Sequence, residues 1–187
     1  FPTVEQAGAC VAAVIGSGII PAGIEMMDRT CVLAVEKYIN AGYPLDVEAV
    51  LIIEIDGVDV ECNYLTDEVT AIANSNGAVT VRASTSEEER LKFWSGRKAA
   101  FPAMGDLAPD YLCMDGTIPR RHLPMVLARI RDLSAKYGLP VANVFHAGDG
   151  NLHPLILYDT EKPGDLDKAE SFGFDILRLC VEVGGVL

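Results

Sequence analysis

The sequence predicts an α+β fold: a ferredoxin-like, duplicated α/β sandwich with a mostly antiparallel sheet and helices on one face. Three observations carry this expectation. Strand-like and helix-like runs alternate, and the alternation occurs twice along the chain, which suggests two similar α/β units. The last two strand-like runs, "VANVFH" and "LHPLILY", flank a short glycine-rich turn, and strands joined that tightly are antiparallel. Half of the 187 residues are hydrophobic and few are aromatic, so the chain can bury an aliphatic core and is too apolar to be disordered. A doubly wound sheet is the alternative that the same alternation admits.

The elements follow in order. Thr3-Val4-Glu5-Gln6 fits a capping box that opens a helix through about Ile15, with Gly16 and Gly18 ending it. "IIPAGIEMM" reads as extended or loop-like. Asp28 can cap a second helix that runs to about Asn40. "AVLIIEIDG" is rich in β-branched residues and closes on Asp56-Gly57, so it reads as a strand. Val60, Tyr64, Val69 and Ile72 give helical spacing to residues 58–74, and "AVTVRAS" alternates like a strand. The acids Glu87, Glu88 and Glu89 suit the positive end of a helix that carries Leu91, Trp94 and Arg97 on one side. "PDYLCMD" reads as a strand. Thr117 and Pro119 open a helix that ends at Gly138, and a last helix covers about Gly164 to Val183.

Composition excludes several classes of function. A net charge of −12 repels nucleic-acid backbones and anionic lipid surfaces. It leaves an anionic small substrate open, because a local arginine outweighs a distant, salt-screened field. The five cysteines are odd in number and widely spaced, which reads as reduced thiols in a cytoplasmic protein and not as a disulfide framework or zinc knuckle. The longest apolar candidate for a membrane span, "CVAAVIGSGII", is short and broken by Gly16, Ser17 and Gly18. The chain opens on Phe1 and closes on "VEVGGVL", so a single domain over 1–187, cut from something longer, is expected.

The chemistry concentrates in "VFHAGDGNLHPLILY", which holds two of the three histidines, His146 and His153. Asp149-Gly150 is a strong signal for a two-residue type I′ turn, which requires positive φ at both central positions. That turn sets His146 directly opposite His153, and a four-residue loop over Gly148 to Asn151 gives the same pairing. Direct cross-strand neighbours have Cβ atoms roughly 4.5–5.5 Å apart, close enough for two ring nitrogens to converge on one metal. Half-exposed histidines with no ligand remain equally open on this geometry. A phosphate loop fits worse, because a strand with Pro154 follows the glycines instead of a helix N-terminus.

"HAGDGNLHP" resembles the histidine motif of the C-terminal domain of the FAD-linked oxidases, the group that includes glycolate oxidase, D-lactate dehydrogenase and D-2-hydroxyglutarate dehydrogenase. "PAGIEMMD" (Pro21 to Asp28) and "FWSGRKAAFPA" (Phe93 to Ala103) resemble the start of that family's substrate domain and its substrate-arginine helix. "PDYLCMDGTIPRR" is similar to the glycolate oxidase branch. The four segments stand in the family's order over nearly the whole chain.

The resemblance implies the substrate or cap domain of an FAD-dependent 2-hydroxy-acid dehydrogenase, with most of the FAD held by an N-terminal domain of the same polypeptide. It implies His146 and His153 as ligands of a divalent metal (Zn, Mn or Fe), Arg97 as the residue holding the substrate carboxylate, and Asn151 near the flavin edge. The family's third ligand, a glutamate, and its general base, a histidine, lie in a Gly-Glu-His-Gly motif expected past Leu187, so no catalytic base is expected within 1–187 and the isolated piece is expected to be inactive. Branches that take dicarboxylates carry a basic residue near the position of Cys113, so glycolate or lactate is the expected substrate. The expected partners are a small 2-hydroxy acid, the FAD-binding domain, and other glycolate oxidase subunits or an electron acceptor. The expected place is the cytoplasm, at most peripheral to a membrane electron-transfer chain. Two rivals explain the same residues: a non-catalytic small-molecule-binding α+β module, and a metal hydrolase built on the hairpin.

Overall fold

Thr3 accepts a hydrogen bond from the Gln6 N–H at 3.1 Å, and helix α1 (Val4–Gly16) starts there, as the capping box requires. The computed structural model of the protein describes all residues, 1–187. Strand β1 (Gly23–Asp28) follows. Asp28 then accepts from the Cys31 N–H at 3.0 Å and caps α2 (Arg29–Ile39). Next come β2 (Ala49–Glu54), α3 (Asp59–Ser75) and α4 (Glu87–Ala103). Strands β3 (Asp110–Cys113) and β4 (Gly116–Thr117) precede α5 (Leu123–Tyr137). Strands β5 (Val141–His146), β6 (Asn151–Leu152) and β7 (Pro154–Tyr158) precede α6 (Asp165–Glu182).

Every strand pairing is antiparallel, so the α+β expectation holds and the doubly wound alternative falls. The seven strands run in order β2-β1-β5-β6-β4, with β7 also on β5 and β3 on β7. β6 and β7 lie along the same side of β5, interrupted only at His153, and β4 and β3 continue the line beyond them.

The helices, expected on one face, cover both. Neighbouring residues of one strand point to opposite faces, and here they enter different cores. Ile24, Met26, Phe145 and Ile156 pack with Val11 of α1, Ile130 of α5 and Phe172 of α6. Met27, Val144, Leu155 and Leu157 pack with Val35 of α2 and Ala100 of α4. The sequence carries the reason: β1, β5 and β7 are apolar on both parities, and a strand apolar on both sides must be covered on both sides.

One further expectation is sharpened and two are corrected. "IIPAGIEMM" contains a central strand, β1, whose "GIEMMD" lacks polar–apolar alternation because nearly all of it is buried. "AVTVRAS" forms no strand, and Val79 and Val81 are exposed; alternation licenses a strand only when an edge pairs with it. On α3 only Val69 and Ala73 are buried, while Val60 and Tyr64 of the anticipated apolar face point to solvent.

Candidate functional site

The site lies on the sheet face covered by α2 and α4. Four strands contribute one row of directly paired residues: Glu25 of β1 with His146 of β5, His146 with Asn151 of β6, and Asn151 with Thr117 of β4. Paired residues share a face. One step along, the flanking registers set His153 between Val144 and Asp115, in a second row on the same face.

The histidine hairpin differs from the expected register. His146 pairs with Asn151, not His153. The connection is a four-residue loop, Ala147 to Gly150, closed by Asp149 N–H to His146 O at 3.2 Å and Gly150 N–H to Ala147 O at 3.1 Å. Only Gly150 has positive φ, at 73°, so no type I′ turn forms at Asp149-Gly150. The loop is wedged in place: Gly148 N–H donates to Ile24 O at 3.0 Å, and a Cβ on Gly150 would collide with the Ile118 carbonyl. The register is shifted by two residues, and only an odd shift flips faces. The two imidazoles therefore still meet as diagonal neighbours, edge to face, with centroids 5.3 Å apart.

Arg97 reaches this face from α4. Its neighbour Gly96 has no side chain, and the Tyr43 ring fills the space where a Cβ would stand. Tyr43 also donates its hydroxyl to the Phe93 carbonyl of the same helix. This close approach seats α4 on the sheet. Arg97 Nε–H then donates to Glu25 Oε2 at 2.8 Å, with both side chains nearly buried, at 11 and 8 % exposure.

Glu25 was not anticipated from the sequence. Its second oxygen, Oε1, lies 2.7 Å from His146 Nδ1. A carboxylate only accepts, so the imidazole carries its hydrogen on Nδ1 and leaves Nε2 open. The signal for it is slight: one acid inside the apolar run "GIEMMD", and buried acids need partners.

His153 is largely buried, and its Nε2 sits 3.6 Å from Asp115 Oδ1, which is too long for a hydrogen bond. Burial, opposed by the Asp115 carboxylate, lowers the His153 pKa below the usual histidine value, so the ring is neutral at neutral pH. Asn151 Nδ2 donates to Asp115 Oδ1 at 3.1 Å and to Thr117 Oγ1 at 3.3 Å. Its Oδ1 is buried with no donor against it. Cys113 pairs with Leu155, which puts it on the same face as Asp115; burial raises its thiol pKa, so it stays a neutral thiol.

The structure thus brings Arg97, His146, His153 and Asn151 together on one surface and adds Glu25, Thr117 and Asp115. His146 and His153 supply two imidazoles, whereas a catalytic divalent metal usually takes three protein ligands. No group of three or more His, Cys, Asp or Glu side chains is arranged to hold a metal. The unpartnered Asn151 acceptor fits a bound group that brings one N–H or O–H.

Residues 1–187 match the model of the FAD linked oxidases, C-terminal domain. The chain belongs to this family. It is 55% identical over 185 residues to the glycolate oxidase subunit GlcD of Escherichia coli (strain K12), covering 99% of this chain and 37% of the relative. It is 26% identical over 187 residues to the mitochondrial D-lactate dehydrogenase [cytochrome] of Arabidopsis thaliana, covering 99% of this chain and 33% of that protein. Among solved structures, an alkyldihydroxyacetonephosphate synthase superposes with a TM-score of 0.64 at 17% identity, over 99% of this chain and 38% of that one, a likeness of fold. The chain therefore spans little more than a third of the curated relatives it matches.

Proposed function

We propose that this domain is the substrate-binding cap of an FAD-dependent 2-hydroxy-acid dehydrogenase of the glycolate oxidase kind. The observation that carries the reading is the state of Arg97. Its Nε is committed to Glu25, and no protein acceptor engages its terminal nitrogens. A nearly buried guanidinium with two free, parallel N–H groups is built to take a carboxylate. The open imidazole nitrogens of His146 and His153 on the same face would meet the neighbouring hydroxyl.

In this reading Arg97 binds and orients the acid. Glu25 fixes the His146 tautomer. The neutral His153 keeps a lone pair on one ring nitrogen. His146 and His153 would hold a divalent metal, whose chemistry is to lower the pKa of a coordinated hydroxyl. FAD, when bound, supplies the hydride acceptor, and Asn151 Oδ1 would accept from its edge. The binding of most of the FAD is assigned to another domain of the same polypeptide, and reoxidation to further subunits or an electron acceptor. The substrate is a small monocarboxylate: Cys113, a neutral thiol, stands where a second carboxylate would need a cation. The five cysteines are all unpaired, which supports a reducing, cytoplasmic setting, and no helix is long and apolar enough to cross a membrane.

The test is anaerobic mixing of the full-length flavoprotein with glycolate, D-lactate, D-2-hydroxyglutarate and propionate. Glycolate or D-lactate should bleach the flavin, the dicarboxylate should do so far less well, and propionate not at all. Equal bleaching by the dicarboxylate would overturn the monocarboxylate assignment, and no bleaching by any 2-hydroxy acid would overturn the dehydrogenase.

A further inference from the structure

We infer that Glu25 is the positioning residue of this site, a single carboxylate that sets Arg97 and His146 relative to each other; the inference deepens the proposed function and rests on it for the roles of those two residues. Glu25 stands in the middle of the sheet, paired with Ile52 of β2 on one side and His146 of β5 on the other. Its two oxygens serve different elements. Oε2 accepts from Arg97 of α4 at 2.8 Å, and Oε1 from His146 of β5 at 2.7 Å.

A stability role alone accounts poorly for this arrangement. Desolvating an ion pair costs as much as the pairing returns, and an apolar pair of similar volume serves a core as well or better. The functional consequence is specific. With Nε taken, Arg97 can offer a ligand only its two terminal nitrogens. With Nδ1 taken, His146 can offer only Nε2. One side chain thus selects which edge of the arginine and which nitrogen of the histidine face the substrate, and fixes the span between them. The other buried acid of β1, Asp28, cannot substitute, because its oxygens are taken by Cys31 and Asn143 on the opposite side of the strand.

Two conservative variants of the full-length flavoprotein separate charge from reach. Glu25→Gln keeps the length but must turn its amide N–H₂ toward Arg97 or His146. Glu25→Asp keeps the charge but is one methylene too short to serve both. Each should raise KM for glycolate by roughly 10-fold to 100-fold, the hold of one charge-assisted hydrogen bond. Because Glu25 acts in part through Arg97, E25Q combined with Arg97→Ala should raise KM by clearly less than the product of the two single effects. A second readout needs no substrate: in the full-length flavoprotein stripped of metal by a chelator, the ¹⁵N resonances of the His146 ring should report hydrogen on Nδ1 in the wild type and a redistribution toward Nε2 in E25Q.

Wild-type KM in both variants, or effects that multiply in the double variant, would overturn the coupling to Arg97. A His146 tautomer unmoved in E25Q would overturn the coupling to the imidazole. A protein that oxidises no 2-hydroxy acid, yet shifts its His146 tautomer in E25Q, would end the proposed function while keeping Glu25 as the residue that orients His146.

Discussion

Strand β1 buries two carboxylates three residues apart, and they face opposite ways. Asp28 points into the side of α1, α5 and α6 and has no cation. It accepts from the backbone N–H of Cys31 at 3.0 Å and from both the backbone and side-chain nitrogens of Asn143 at 2.8 Å. Burial pushes its pKa up to about 6 against those hydrogen bonds. Glu25 points into the side of α2 and α4, where it meets a guanidinium and an imidazole, both movable groups with free nitrogens left over. The difference teaches how to separate a structural acid from a functional one in the same strand. Asp28 ties down backbone, joining a helix start to a strand. Glu25 ties down side chains that still have bonds to make.

The largest expected effect comes from emptying the Glu25 face. Replacing His146 and His153 together by Ala should strip the full-length protein of the divalent metal proposed for this site, read by elemental analysis of the purified protein. Unchanged metal content would remove both residues from the ligand set and leave Glu25 orienting a histidine that holds nothing.

The opposite face should respond in stability alone. Asp28→Ala leaves three donors of Cys31 and Asn143 without their acceptor and removes a helix cap, at a cost of about 3 kcal/mol. Denaturant unfolding would show the loss, while kcat/KM of the folded protein should stay within about threefold. A large fall in kcat/KM at unchanged stability would erase the distinction between the two acids.

Titration sharpens the contrast further. The folded pKa of Asp28 lies above the ordinary value of 3.8, at about 6. The folded state therefore binds the extra proton between those values, and stability falls as pH rises through them. The full contribution, up to roughly 3 kcal/mol, is present below about pH 4 and gone above about pH 6. The margin in melting temperature of the wild type over Asp28→Asn should narrow across that window. A constant margin would contradict the buried, uncompensated state of Asp28.

Asp115 gives the smallest effect. It shares the site face, but its side chain is 71% exposed and lies 3.6 Å from His153. Exposed pairs contribute little, so Asp115→Asn, which keeps an acceptor for Asn151, should change stability by less than about 0.5 kcal/mol and KM by less than about threefold. A tenfold change would promote Asp115 to the working residues.

What the sequence disclosed follows the same division between local and distant. Thr3 and Asp28 were legible as helix caps because their partners, Gln6 and Cys31, lie three residues away. Arg97, His146, His153 and Asn151 were legible as a group through motif resemblance, and the structure brings them onto one face. The histidine pairing was read with the right face and the wrong register, because Ala147, which the turn rule placed in the strand, belongs to the loop. Glu25 stayed hidden because its partners are 72 and 121 residues away and nothing local marks a lone acid in "GIEMMD". The second helical layer was missed for a related reason: a strand apolar on both faces reads as a loss of alternation, and not as a request for two covers.

The role proposed for Arg97 is to present two terminal nitrogens to a carboxylate, and Arg97→Lys tests it most directly. Lysine keeps the charge beside Glu25 and loses the fork. Anaerobic titration of the flavin in the full-length protein with glycolate should then need at least about tenfold more acid for half-reduction. Half-reduction at the wild-type concentration would mean that the carboxylate binds elsewhere.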